Sequence, residues 1–156
     1  MNSWLSLIIA LPTANATERM RAWRALKSSG AAVLRDGVYL LPDTPACREA
    51  LEAVERDVLG SNGTAFLLPI NDPQGERFIE LFDRSEDYAK LRVEIEACQA
   101  QLTSDNALTS TKQVRKLRKA FAQLAAIDFF PAAARKQTDT ALKTLETAIS
   151  RALSRD

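Results

Sequence analysis

The sequence predicts an α+β protein in which a β-α-β-β-α-β unit is followed by an all-helical extension. Strand-like and helix-like segments alternate from the start of the chain to Asn71, whereas helical periodicity alone continues from Pro73 onward. The composition is that of an ordinary globular protein, because 46% of the 156 residues are hydrophobic and 26% are charged. We therefore predict two domains, residues 1–71 and residues 72–156.

The first strand and the first helix are predicted from an apolar run and the amphipathic segment that follows it. Residues 4–11 form an apolar run interrupted only by Ser6, as in a buried central strand, and Pro12 ends the run. Thr17 is the predicted N-cap of a helix that runs to Ser29. The residues predicted to face inward on this helix are Ala16, Met20, Ala22, Trp23 and Leu26.

A β-hairpin and a second helix come next. Asp36-Gly37 separates two strand-like segments, residues 31–35 and 38–41, and this dipeptide is typical of a two-residue hairpin turn. Thr44-Pro45 then begins a helix, since proline is favoured in the first turn. The predicted apolar side of that helix carries Ala46, Leu51, Val54 and Leu59.

A fourth strand, residues 64–70, completes the α+β unit, and Pro69 is predicted to help end it. Two helices on one face of a four-stranded antiparallel sheet form the ferredoxin-like arrangement. In the extension, residues 76–102 form one long or once-broken helix, and helices over 111–126 and 132–153 follow a polar break. The apolar seams of the last two helices carry Val114, Leu117, Phe121, Leu124, Leu142, Leu145, Ile149 and Leu153.

The composition excludes several functional classes. The chain contains no histidine, so it lacks the usual base of a serine hydrolase, and it carries no fingerprint of a flavin site or of a reactive thiol pair. Cys47 and Cys98 match no metal or redox spacing and are expected to be reduced thiols of a cytoplasmic protein. The apolar run at the start, about eight residues long, is too short to cross a membrane. We expect a non-enzymatic protein with no cofactor, metal or membrane segment.

A first basic cluster surrounds the first helix. A formal net charge of +1 means that any nucleic-acid binding must rest on such local clusters. Cations at helical spacing can bind phosphates along a DNA backbone, or they can form an ordinary solvated helix face. The sequence leaves both interpretations open. The candidate DNA-binding residues here are Arg19, Arg21, Arg24, Lys27 and Arg35.

A second and denser cluster lies in the stretch T-K-Q-V-R-K-L-R-K-A-F, where residues 112–119 include five cations. Four of them share one helical face and the apolar residues share another, which suits binding to a DNA backbone. The competing interpretation is an intramolecular charge match with the acidic residues of the segment 76–96. The candidate residues on the basic face are Lys112, Arg115, Lys116 and Lys119.

Several stretches resemble a known family. They are W-L-S-L-I-I-A-L-P-T, R-M-R-A-W-R-A-L-K-S-S-G-A-A-V-L-R-D-G-V-Y-L-L-P, F-D-R-S-E-D-Y and I-D-F-F-P. Together they resemble the N-terminal half of the chromate-resistance regulator family ChrB. The resemblance implies a bacterial cytoplasmic protein that regulates a chromate efflux gene by binding promoter DNA. It also implies that full-length members carry a C-terminal domain linked with chromate sensing.

The first seventy or so residues also resemble two other groups. One is the ferredoxin-like domain of the phenylacetate-pathway repressor PaaX, and the other is a small CRISPR adaptation protein that dimerises through the same fold. That CRISPR family often places an Asp for a metal just after its first strand. The matching stretch here is Leu11-Pro12-Thr13, which has no carboxylate, so we expect no nuclease activity.

The leading hypothesis is therefore a DNA-binding transcriptional regulator, or its DNA-binding part, that controls chromate resistance or efflux genes. A free edge strand or the helical extension favours a homodimer. Two alternatives stay open at this point. One is a dimerisation or protein-interaction module whose basic faces pair with acidic helices, and the other is a direct oxyanion binder that grips chromate through Arg19 or Arg35.

Overall fold

The computed structural model describes residues 3–154, so the outermost residues of both predicted domains lie outside the described part of the chain. It divides into two compact units between Phe82 and Asp83. This division falls later in the chain than residue 71, where we predicted a domain boundary. Whether either unit is an independent domain stays a prediction, because a compact unit need not fold alone. Within residues 3–154 no helix is both long and apolar enough to cross a lipid bilayer.

The first unit has the predicted β-α-β-β-α-β order. Its four strands form one antiparallel sheet in the order β2-β3-β1-β4, which confirms the α+β, ferredoxin-like prediction. A 3-10 helix, Gly75–Phe82, follows the last strand. The elements are β1 (Ser3–Ala10), α1 (Ala16–Ser28), β2 (Ala32–Arg35), β3 (Val38–Pro42), α2 (Pro45–Gly60) and β4 (Thr64–Asn71).

The predicted Asp36-Gly37 turn joins β2 to β3. Gly37 has a φ of +80°, a conformation that favours glycine, and an added Cβ would lie 2.7 Å from the backbone oxygen of Ile9. The backbone N–H of Ile9 in turn donates a 2.8 Å hydrogen bond to the oxygen of Gly37. The turn therefore packs directly on the end of the central strand and could not accept a larger residue without moving.

The buried side of α1 differs from the predicted one. Ala22 and Leu26 are buried, whereas Met20 and Trp23 are 47% and 44% exposed, so their inward assignment was wrong. The cause is that α1 packs mainly against α2 through its Ala22 side, which turns the bulkier residues away. Ala16, also predicted to face inward, is exposed.

The start of α1 also needs a correction. The helix begins at Ala16, so Thr17 lies inside its first turn and is not the N-cap. Asn15 is the residue that precedes the helix, and its side-chain amide donates a 2.8 Å hydrogen bond to the backbone oxygen of Ser61 at the end of α2. A long-range bond thus fixes this helix start, which local sequence preferences do not reveal.

Helix α2 begins as predicted. The hydroxyl of Thr44 caps it by accepting a 3.1 Å hydrogen bond from the backbone N–H of Cys47. Its buried stripe recurs at spacings of four, three and four residues, and consists of Cys47, Leu51, Val54 and Val58. The predicted inward positions Ala46 and Leu59 were wrong, because each lies one residue away from this stripe and is exposed.

Strand β1 lies at the centre of the sheet and carries the largest buried side chain of the unit. The ring of Trp4 stacks on Phe82 at 5.6 Å and meets Phe78 edge-on at 5.4 Å, and both partners belong to the 3-10 helix. This contact places residues up to Phe82 in the first unit. Pro69 lies within β4 and does not end it, because β4 is an edge strand, where a missing N–H is tolerated.

The described part of the second unit, up to Ser154, contains three helices that pack pairwise: α3 (Ser85–Ala100), α4 (Ala107–Ala126) and α5 (Ala133–Ser154). The segment 76–102, predicted as one long or once-broken helix, instead consists of the 3-10 helix Gly75–Phe82, which belongs to the first unit, and α3, with a break at Asp83 and Arg84. Two predicted positions need correction: α4 starts at Ala107 rather than at 111, and Leu153 is exposed while Ala152 is buried. The main buried cluster comprises Leu91, Ile95, Cys98, Val114, Leu142, Leu145 and Ile149.

Candidate nucleic-acid interface

Helix α4 presents a continuous basic surface opposite its buried side. Its four cations lie three or four residues apart and are all exposed, while Val114 on the other side of the helix is buried. The helix contains no Asp or Glu anywhere along its length. We call this surface the α4 basic face, and it consists of Lys112, Arg115, Lys116 and Lys119.

The α4 basic face has no ion-pair partner among the residues that the structure describes. The charge match that competed with DNA binding at the sequence level is made instead by Arg118, on the side of α4 that meets α5. Arg118 donates a 2.8 Å hydrogen bond to Asp139 and a second one to Glu146. Hydrogen bonds from Arg118 and then from Lys143 lower the pKa of the Asp139 carboxyl. The pairing therefore uses α5, not the acidic segment 76–96.

The cations of α1 are all exposed but do not share one face. Arg19 lines a cleft beside the β-hairpin, whereas Arg21 lies on the α2 side of the helix near Asp57. Lys27 places its ammonium 4.8 Å from the centre of the Trp23 ring. The first candidate cluster is therefore split between two sides of α1, unlike the α4 basic face.

Arg35 is exposed at the end of β2, where it pairs with Val38 across an irregularity in the hairpin register. It makes no ion pair with any residue in the described part of the chain. The α1 and α4 clusters belong to different compact units. That both clusters contact DNA stays a prediction.

The cleft beside α1 was missed at the sequence level. It has a volume of ≈ 670 Å³ and lies between α1 and the Asp36-Gly37 turn, with Tyr39 in its wall. Trp23 and Met20 line it from the helix side. The sequence did contain a signal that Met20 and Trp23 are not buried. Arg19, Arg24 and Lys27 lie next to them on the helix, and a helix face that packs inward rarely includes so many cations.

Two of the stretches that carry the family resemblance meet inside the second unit. Tyr88, from F-D-R-S-E-D-Y, donates a 2.8 Å hydrogen bond from its hydroxyl to Asp128 of I-D-F-F-P. Arg84 reaches the backbone oxygen of Ile127 through its Nε at 3.4 Å. Tyr88 and Asp128 are both buried, at 1% and 7% exposure. These residues join the start of α3 to the end of α4, which is a structural role.

The described residues include no group of three or more His, Cys, Asp or Glu side chains that could hold a metal ion. The four acidic residues of α2 are spread along an exposed or half-buried surface of that helix. They are Glu49, Glu52, Glu55 and Asp57.

Comparison with known proteins decides the family. The family model for the N-terminal region of Protein ChrB matches residues 19–154, which is most of the chain. The chain belongs to the ChrB N-terminal family. The resemblance drawn from the sequence motifs is thereby confirmed, and both the α1 cations and the α4 basic face lie within the matched ChrB region.

A curated relative and a solved structure extend this finding. Protein ChrB from Cupriavidus metallidurans is 33% identical over 155 residues, which cover 97% of this chain and 48% of the relative. The chain thus spans about half the length of that ChrB protein. The uncharacterized protein Rv0674 from Mycobacterium tuberculosis has a similar structure, with a TM-score of 0.56 and 14% identity. The match covers 97% of this chain and 62% of Rv0674 and shows the fold alone.

Proposed function

We propose that this chain is the DNA-binding part of a transcriptional regulator of chromate resistance, and that the α4 basic face contacts DNA phosphates. The observation that carries the proposal is a row of four exposed cations with no described ion-pair partner, on a helix without carboxylates. From Lys112 to Lys119 the helix rises roughly 10 Å. Measured along the DNA axis, that length corresponds to about three phosphates of one strand of B-DNA.

The assignment to chromate resistance rests on membership of the ChrB family, and the assignment to DNA rests on charge. Since the formal net charge of the chain is only +1, attraction to phosphate has to be local. The exposed α1 cations Arg21 and Arg24, together with Arg35, form a second, more dispersed set of candidate phosphate contacts. We also propose that the protein is cytoplasmic and that it is not an enzyme.

A homodimer is part of the proposal. Strands β2 and β4 are the edges of the sheet, and both carry exposed apolar side chains, including Val33 on β2 and Phe66 on β4. If two copies paired through one of these edge strands, the exposed apolar side chains of that strand would be covered. The dimer would then place two basic helices against a two-fold symmetric DNA site. Sedimentation equilibrium across a concentration series measures the assembly state, and a monomer at every concentration would contradict this part.

The oxyanion alternative has weaker support. Arg19 lines the α1 cleft, but the Asp36 carboxylate lines the same cleft, and a carboxylate disfavours a small dianion. Thermal unfolding with chromate or sulfate tests this alternative without DNA. An increase in Tm with either ion, absent with chloride at equal ionic strength, would favour it.

The test of DNA binding is fluorescence anisotropy with the promoter duplex and a scrambled duplex over a salt series. Two variants with equal charge are compared. In the first, the α4 basic face is neutralised by K112Q, R115Q, K116Q and K119Q. In the second, four exposed cations on other helices are neutralised by R56Q, K90Q, K136Q and R151Q, so that both variants have the same formal net charge.

The wild-type protein should prefer the promoter duplex and bind more weakly as salt rises. Each phosphate contact that is lost should reduce the slope of log K against log salt by about 0.9. The α4 variant should lose affinity and slope, and the control variant should lose far less. Equal losses in the two variants would show that only net charge matters. No binding by the folded wild-type protein at low salt would favour the interaction-module alternative.

A further inference from the structure

The α1 cleft has the size and lining of a small-molecule site. Its volume of ≈ 670 Å³ lies within the range of ligand pockets, which is roughly 300–1,000 Å³. One wall is α1, which contributes Arg19, Met20 and Trp23, and the other is the hairpin, which contributes Asp36 and Tyr39. An aromatic surface, a cation and a carboxylate therefore face one space within the first unit.

Trp23 is the first observation that points to a ligand. Nearly half of its surface is exposed at the cleft, next to the equally exposed Met20, on a helix whose own buried side is complete without them. The ammonium of Lys27 lies 4.8 Å from the ring centre. An exposed indole bordered by cations is the arrangement that proteins use to stack nucleobases beside a phosphate backbone.

Tyr39 is the second and independent observation. Its side chain lines the cleft and is only 8% exposed, yet its hydroxyl makes no hydrogen bond to any residue in the described part of the chain. Burial, followed by the nearby Asp36 carboxylate, raises the pKa of this hydroxyl, so it stays protonated and able to donate. The hydroxyl oxygen is not one of the buried unpaired polar atoms of the described residues, so it is accessible from the cleft and can donate to a ligand group there.

We propose that the α1 cleft binds a nucleotide unit, with the base against Trp23, the phosphate at Arg19 and a ligand amino or hydroxyl group at Asp36. An inorganic oxyanion such as chromate or sulfate would leave the aromatic wall unused and would offer the Asp36 carboxylate no hydrogen-bond donor. A purely apolar ligand would leave Arg19, Asp36 and Tyr39 without partners. A planar ring that carries both an anion and a hydrogen-bond donor satisfies all of these groups.

The nucleotide unit has two possible sources, a free mononucleotide or an unpaired nucleotide of a single strand. Isothermal titration calorimetry tests both, using adenosine and cytidine monophosphates, inorganic phosphate, a five-nucleotide single strand and a short duplex. Tryptophan fluorescence gives a second readout, because Trp4 is fully buried and Trp23 lines the cleft. Quenching by the ligand should therefore disappear in W23F.

Three cleft variants and one control define the site. W23A and R19Q should each weaken binding by about 10-fold or more, since each removes a stacking surface or a charge-assisted contact. Y39F removes only the unpaired hydroxyl and should weaken binding several-fold without affecting the core. R56Q, an exposed change on α2, should bind as the wild type does. Circular dichroism checks that every variant is folded.

Binding of a mononucleotide would support the proposal and identify a free nucleotide as the source. Binding of the single strand alone, weakened by the cleft variants, would support it and identify a nucleic acid. Absence of saturable binding to both would overturn the proposal, as would inorganic phosphate competing as well as the monophosphates. Cleft variants that bind like the wild type would also overturn it. The quadruple α4 variant should keep nucleotide binding, so this test is independent of duplex binding.

Discussion

Replacing Tyr88 with Phe tests whether the bond between the two family motifs stabilises the second unit. The change removes one hydroxyl, which donates to Asp128 at 2.8 Å with both side chains buried. A hydrogen bond to a charged group contributes about 1.5–3 kcal/mol to stability, and the aromatic ring remains in place. We therefore expect Y88F to lower the free energy of unfolding by about 1.5–3 kcal/mol.

The chain offers a matched control, because Tyr39 is the only other tyrosine. The Tyr39 hydroxyl has no hydrogen-bond partner among the described residues, so Y39F should change the free energy of unfolding by less than about 0.5 kcal/mol. Urea unfolding followed by circular dichroism at 222 nm measures both variants. Circular dichroism is used instead of tryptophan fluorescence because Trp4 and Trp23 both lie in the first unit, and their fluorescence would report on that unit alone.

The result that would refute this reasoning is a Y88F variant as stable as Y39F. A second check is the double-mutant cycle of Y88F with D128N. If the hydroxyl and the carboxylate interact, the double variant should lose less stability than the sum of the two single variants. Simple additivity would mean that the short distance reflects proximity without energetic coupling.

Three further predictions follow from burial and backbone geometry. Burial raises the pKa of Tyr88 above its value in the unfolded chain. The stability that depends on the protonated Tyr88 hydroxyl is therefore complete below about pH 10 and is lost as pH rises further. Between about pH 9 and pH 11 the free energy of unfolding should fall less in Y88F than in the wild type. L145A removes a fully buried side chain and should cost about 2–5 kcal/mol in urea unfolding, whereas V93A, an exposed change on α3, should cost less than about 0.5 kcal/mol. G37A would force an alanine to a φ of +80°, with its Cβ against a β1 carbonyl oxygen, and should lower the free energy of unfolding by about 1–3 kcal/mol. The control is G60A, because a Cβ added at Gly60 has no heavy atom within 4 Å. This variant should leave Tm unchanged or raise it.

Local signals were enough to predict most of the first unit. The Asp36-Gly37 turn requires a residue that tolerates positive φ, and alternation of strands and helices left few other topologies. The same signals misplaced Met20 and Trp23, because a helical wheel assigns large apolar residues to the inside. In the structure the small Ala22 lets α1 approach α2, and the larger residues turn to the cleft. Which apolar face is buried depends on the partner helix, and the sequence does not encode this locally.

The α4 basic face was predictable from spacing, but its availability was not. Cations at 112, 115, 116 and 119 must share a face on any helix, and the structure places them there. Whether acidic neighbours neutralise them depends on residues far along the chain. Arg118 finds Asp139 and Glu146, which are 21 and 28 residues away. Only the packing of α4 on α5 shows that this single arginine is paired and that the other four cations have no described ion-pair partner.

Two of the family motifs, F-D-R-S-E-D-Y and I-D-F-F-P, meet in the second unit and are separate from the proposed DNA surface, but hydrogen bonds connect them to the same helix. The Tyr88–Asp128 bond joins residues 40 positions apart and ties the end of α4 to the start of α3, while Arg118 ties the middle of α4 to α5. Two such attachments on the inner side of one helix fix its rotation about its own axis. The α4 basic face must then point away from the helical core. If DNA binding depends on this orientation, Y88F should weaken binding in anisotropy under conditions in which the second unit stays folded, because the variant lacks one of the two attachments.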